Sequence, residues 1–210
     1  MSREGIITAA KAWLGLNEAD GSFREIIDLY NSITPLPVGY KVKYTDEWCA
    51  IFISALFAKA GLLSIGFAEC SCERMISLYK AVGRWQERDD YVPQMGDLVM
   101  YDWQDNGIGD AKGWADHVGI VAAVDAKNIT VIEGNRNNAV GYRQIAVDAR
   151  YIRGYCLPDY ESVDNLPVTE DEVTAWAVAM GLTDGSDAGA GLTKRDLWAA
   201  LRIVTGGQGM

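Results

Sequence analysis

The feature that most constrains this chain is a change of pattern at Pro93. Before it, apolar residues recur at helical spacing; after it, they gather into short runs divided by turn residues. The spacing predicts helices over 3–14, 22–32, 45–61 and 70–81, with Ser22 capping the second, Gly61 stopping the third and Gly83 the fourth. A loop with Pro35, Pro37 and Gly39 leads into the third helix. Past the turn Pro93-Gln94-Met95-Gly96-Asp97, strands are expected over 98–101, 117–124, 129–133 and 140–147, with a last one from Ile152 to Leu157. Residues 102–114 form a polar, glycine-rich loop between the first two. Helices first and antiparallel strands afterwards make an α+β domain.

A chain of 210 residues accommodates one medium domain and a small one. The expected division is a domain over 1–158, a linker over 159–168 between Pro158 and Pro167, and a small helical module over 169–210. In that module Thr169 and Glu172 make a capping box for a helix to Gly181, and Thr193 caps a second to about residue 203. So short a module is expected to lean on the main domain, on a copy of itself or on a partner. The net charge of −10 and the lack of a basic run exclude nucleic acid and anionic lipid as partners. No run of 18 apolar residues exists to span a membrane. The N-terminus reads as an amphipathic helix and not as a signal peptide, so synthesis in the cytoplasm is expected, with export depending on something else.

The 45–61 helix is broadly apolar, with Thr45 or Asp46 as its cap and Cys49 near its first turn. Unpaired N–H groups and the helix dipole lower the pKa of a thiol there and favour the thiolate. Two readings stay open at this point, a small core residue or a nucleophile. His117, the single histidine, begins a strand after the polar loop. If the following hairpin turns through a three-residue loop, Asn135 falls opposite His117 and Glu133 lies diagonally across on the same face; a slip of one residue would send Glu133 to the other face. A thiol, an imidazole and a carboxylate so placed make a nucleophilic acyl-transfer centre. The other cysteines, Cys70, Cys72 and Cys156, are too few for a disulfide framework. Cys70 and Cys72 do not have the partners a zinc site requires, so no metal centre is expected and the thiols read as buried or incidental.

Trp48-Cys49-Ala50 opening an apolar helix, then Pro93-x-x-Gly96-Asp97, Asp116-His117-Val118-Gly119-Ile120-Val121 and Ile132-Glu133-Gly134-Asn135, in this order, resemble the CHAP family (cysteine, histidine-dependent amidohydrolase/peptidase) over about residues 5–158. The resemblance implies a papain-like fold, N-terminal helices packed on an antiparallel sheet, and hydrolysis of amide bonds in peptidoglycan. It carries the nucleophile onto Cys49, the general base onto His117 and the orienting residue onto Glu133, with Asn135 in support. Trp103 and Trp114 flank the polar loop as candidate sugar-stacking residues or as core and loop anchors. Tyr44 and Asp46 are candidates to line the cleft, Asp46 reading first as a helix cap. Some CHAP domains bind calcium; Asp102, Asp105, Asn106 and Asp110 are the candidates here, although their spacing is not that of an EF-hand. The Pro-x-x-Gly-Asp turn is structural. Residues 176–197 resemble part of an S-layer-homology-like unit, which implies binding to a cell-wall polymer; a plain helical hairpin is the alternative. The expected protein is a phage or prophage endolysin, either an endopeptidase or an N-acetylmuramoyl-L-alanine amidase, acting after release or as a virion component. The alternatives are a non-catalytic wall-binding or virion protein, and a cysteine protease or amidase with another substrate.

Overall fold

The computed structural model describes residues 2–88, 90–105 and 113–164. The chain divides into two compact units, Met1–Tyr160 and Glu161–Met210. The helices expected at 169–181 and 193–203, and with them the wall-binding resemblance, lie outside the described residues.

Five helices precede the sheet: α1 (Arg3–Lys11), α2 (Arg24–Asn31), α3 (Cys49–Lys59), α4 (Leu63–Gly66) and α5 (Cys72–Ala81). The strands are β1 (Trp85–Gln86), β2 (Leu98–Tyr101), β3 (His117–Val124), β4 (Asn128–Glu133), β5 (Gly141–Ala146) and β6 (Ile152–Cys156), followed by a short helix α6 (Tyr160–Asp164). They form one antiparallel sheet in the order β1-β6-β2-β3-β4-β5. This is the expected α+β architecture, compatible with a papain-like CHAP fold. The small elements α4 and β1 are additions; runs of four and two residues carry no periodicity to read.

Helix α3 packs against α2 on one side and β3 on another. Every residue from Cys49 to Phe57 is buried, so it is a central core helix and not one with a single apolar face. Truncating Phe52, fully buried, to alanine would cost about 3–5 kcal/mol. Its end is as expected: Gly61 takes a left-handed φ of 69°, while Leu62 N–H and Gly61 N–H return to Phe57 O (2.8 Å) and Ala58 O (3.0 Å).

Its start differs from the expected one. The helix begins at Cys49 itself, with Trp48 in the cap position and no side-chain cap. Asp46 is engaged elsewhere, accepting from Lys43 N–H (2.9 Å) and Tyr40 Oη (2.8 Å) to close the preceding turn. Ser22 likewise caps nothing: α2 starts after Phe23, and Ser22 Oγ accepts from Asn17 N–H (2.9 Å).

Val99, Tyr101, Val121, Ile129, Val131 and Tyr155 form a hydrophobic cluster on the sheet. By register, His117 and Glu133 belong to the same face, at its edge. Asp97, in the turn before β2, accepts from Arg3 Nη1 (2.9 Å), Tyr91 Oη (2.6 Å) and Gln94 N–H (2.8 Å). That buried carboxylate ties α1 to the sheet. No helix among the described residues is long and apolar enough to cross a membrane.

Candidate active site

Cys49 is the first residue of α3, so the N–H groups of its own turn have no intrahelical acceptor. Trp48, fully buried, fixes this start by packing its ring at a tilt against Phe23 (centroids 5.5 Å apart) and donating from Nε1 to Glu18 Oε1 (2.9 Å). Cys49 is 7 % exposed, and its Sγ lies 3.9 Å from Cys72 Sγ. Cys72 lowers its pKa most; burial opposes, and His117 and Ala50 add to the lowering, so Cys49 is held well below the ordinary thiol value. Cys72 moves the other way, raised by that same contact and by burial, and keeps its proton as the donor.

His117 opens β3 opposite Tyr101. Its Nε2 faces Glu133 Oε2 at 3.2 Å, which leaves Nδ1 for the thiol. Burial disfavours the imidazolium, but contacts with Cys49 and Glu133 outweigh it and raise His117 to about 9. A thiolate and an imidazolium are thus favoured together. Glu133, the last residue of β4, is fully buried. Burial pushes its pKa up, but His117 and Arg143 pull harder, and it stays below the usual carboxylate value.

Glycines make this approach possible. A β-carbon on Gly119 would lie 2.7 Å from Glu133 Cγ and 2.4 Å from Val131 Cγ1; on the other side Glu133 pairs with Gly141. The carboxylate therefore lies flat across the sheet to reach His117. A β-carbon on Gly134 would lie 2.3 Å from Phe52 Cβ, so the hairpin end meets α3 backbone to side chain.

The register follows the expectation at the site end, where Ile120 pairs with Ile132. It does so through two compensating features. At the turn Val124 pairs with Ile129, which makes the loop one residue longer, and an irregularity between Val121 and Ala123 removes the offset.

Cys49, His117 and Glu133 come together. Asn135 lines the groove beside them, but its amide donates to Glu47 Oε2 (2.5 Å) and ties the hairpin end to the segment before α3. Trp103 lines the same groove, stacked on Tyr101 (4.7 Å) and 6.1 Å from the His117 ring. Trp114 is 71 % exposed and outside that lining. Tyr44 packs edge-on to Phe23 and donates to Asp28 (2.7 Å); neither it nor Asp46 lines the groove.

Of the loop residues named for calcium, Asp102 is buried and accepts from Gln104 N–H (3.0 Å), while Asn106 and Asp110 lie outside the described residues. Among the described residues no group of three or more His, Cys, Asp or Glu side chains is arranged to hold a metal. All four cysteines are free.

Three residues here escape sequence reasoning. Arg143 donates from Nε to Glu133 Oε1 (2.6 Å), and Arg136 Nε lies 4.0 Å from Oε2. Opposite charges two positions apart across the β4–β5 pair, where Val131 faces Arg143, are the signal that finds the first. Nothing in the sequence places Cys72 beside Cys49.

Residues 39–135 match the CHAP domain family, a span that contains Cys49, His117, Glu133 and Asn135 and covers just under half of the chain. The match indicates a hydrolase of the amidase/peptidase type acting on peptidoglycan. No curated protein and no solved structure matches the chain.

Proposed function

We propose that this protein hydrolyses an amide bond of peptidoglycan by nucleophilic attack from Cys49, with His117 as acid and base and Glu133 orienting the ring. The observation that carries the reading is the buried Glu133 3.2 Å from His117 Nε2, together with the Cys49 thiol at the start of α3, whose pKa His117 helps to lower. The Cys49 thiolate adds to the carbonyl carbon, and the oxyanion is met by the Cys49 N–H at the start of α3. The imidazolium gives its proton to the leaving amine, the C–N bond breaks and a thioester remains. Neutral His117 then takes a proton from water, whose oxygen attacks the thioester. The acid product leaves and the thiolate–imidazolium pair is restored. Glu133 holds the tautomer and stabilises the imidazolium throughout. Asn135 acts as a positioning residue that keeps the two walls of the groove in register.

Purified walls test this. Wild-type protein should solubilise them, and Cys49→Ser should lower the rate by more than about 10³-fold; equal rates in both would overturn the reading. Mass spectrometry of the digest assigns the bond: an intact released stem peptide means an amidase, and a split stem or bridge means an endopeptidase. The same proposal includes a lysin role, in which protein added from outside lowers the turbidity of bacterial suspensions.

A further inference from the structure

We propose that the groove beside His117 is a carboxylate-binding subsite in which Arg136 determines specificity, so that the preferred substrate carries a free carboxylate close to the scissile amide. The inference rests on the peptidoglycan reading above and adds a chemical requirement to it.

The groove is an open cavity of about 270 Å³ lined by Trp103, His117, Asn135, Arg136, Asn137 and Arg143. Among the described residues two guanidiniums and an imidazole line it and no carboxylate does, in a chain whose net charge is −10. Of the acidic side chains behind them, Glu133 is fully buried, with Oε1 engaged by Arg143 (2.6 Å) and Oε2 by His117 (3.2 Å), while Glu47 accepts from the Asn135 amide (2.5 Å) and Asp116 from Trp103 N–H (2.8 Å). Arg136 joins that network only as a longer ion pair to Glu133. At 4.0 Å its Nε is beyond hydrogen-bond reach of Oε2, and it is buried with no hydrogen-bond partner among the described residues. A guanidinium in a groove, half-sheltered from water and with its buried Nε–H unsatisfied, has capacity left for an oxyanion, and its planar fork suits a carboxylate.

The backbone holds this side chain in place. Asn135, Asn137 and Asn138, around Arg136, all adopt left-handed φ values (57°, 53° and 62°), which asparagine tolerates best after glycine. Arg136 N–H donates to Ala139 O (2.9 Å), and Asn138 O accepts from Glu18 N–H (2.9 Å). The turn is thus tied both across itself and to the segment after α1. Arg143 supports the field from beneath, its guanidinium 4.9 Å over the Trp103 ring, and Trp103 offers an apolar face to the methylenes beside the bound group.

The test measures binding alone, so that it does not depend on turnover. The full chain carrying Cys49→Ala is titrated calorimetrically with two peptides, alanyl-γ-glutamyl-lysyl-alanine with the glutamyl α-carboxylate free and the same peptide with that group as carboxamide. The free acid should bind on the order of tenfold more tightly, as expected for one charge-assisted hydrogen-bonded contact. With Arg136→Gln added, the ratio should fall below about threefold. Arg136→Lys, which keeps the charge and loses the fork, should restore part of it; thermal melts of each variant report whether it is folded. Equal affinities in the Cys49→Ala protein, binding of neither peptide, or a ratio that survives in folded Arg136→Gln would overturn the inference. Failure of the wild type to cleave walls, with the carboxylate preference intact, would instead overturn the proposed reaction.

Discussion

Asp97 and Glu133 are both buried carboxylates with an arginine in contact, and the difference between them separates framework from chemistry. Asp97 is held by Arg3, a tyrosine hydroxyl and a backbone N–H. It joins α1 to the turn before β2 and does not line the groove beside His117. Glu133 is shared between Arg143 and His117, and His117 in turn meets a thiol and lines an open groove. Burial and ion pairing alone would rank the two together. The titratable partner with access to solvent distinguishes the second.

The largest expected contrast comes from removing each charge in turn. Glu133→Gln should lower kcat by about 10²–10⁴-fold, because the imidazolium loses the group that stabilises and orients it. Asp97→Asn should leave kcat within about threefold and cost instead about 2–3 kcal/mol, read as a fall in Tm of about 5–10 °C, with Arg3 partly exposed and the pair discounted accordingly. If Asp97→Asn cost activity in a fully folded protein, the distinction would fail.

The pH profile sharpens it further. The proposed reaction requires Cys49 deprotonated and His117 protonated. With His117 raised to about 9, the imidazolium persists well past its ordinary value of 6.5, so the alkaline limb of kcat/KM should fall near pH 9. With Cys49 lowered, the acidic limb should lie well below the ordinary thiol value of 9.0. In Glu133→Gln one cause of the raised His117 pKa is gone, and the alkaline limb should move to lower pH; no movement would mean that Glu133 does not act on the ring. Asp97→Asn should leave both limbs in place.

The smallest effect is expected from Cys72→Ala. It removes the main contact that lowers the Cys49 pKa, so the acidic limb should move up. Alkylation of Cys49 by iodoacetamide at pH 6 should slow by ~3–10-fold. An unchanged profile would assign the lowering to His117 and the helix start alone.

Much of the fold is legible in the sequence because β2, β3 and β4 are largely apolar runs bounded by turn residues, and α3 is a long apolar segment with a glycine stop. The start of α3 is not, since Thr45 and Asp46 look like caps while Asp46 is drawn into a local turn that only its neighbours Tyr40 and Lys43 define. The His117–Glu133 juxtaposition is legible through hairpin pairing, although the longer turn and the strand irregularity that offset each other are not. Arg136 and Cys72 stay hidden for a different reason. Each reaches the site through a contact between elements, a hairpin-end turn in one case and the start of α5 in the other, and no periodicity reports such contacts.

Gly119 and Gly134 carry no functional group, yet the spacing of the cleft walls depends on the atoms they lack. Transplanting Cys49, His117 and Glu133 onto another helix and hairpin would therefore copy the reactive groups without their distances. A redesign of this centre must carry over its two empty positions as faithfully as its three occupied ones.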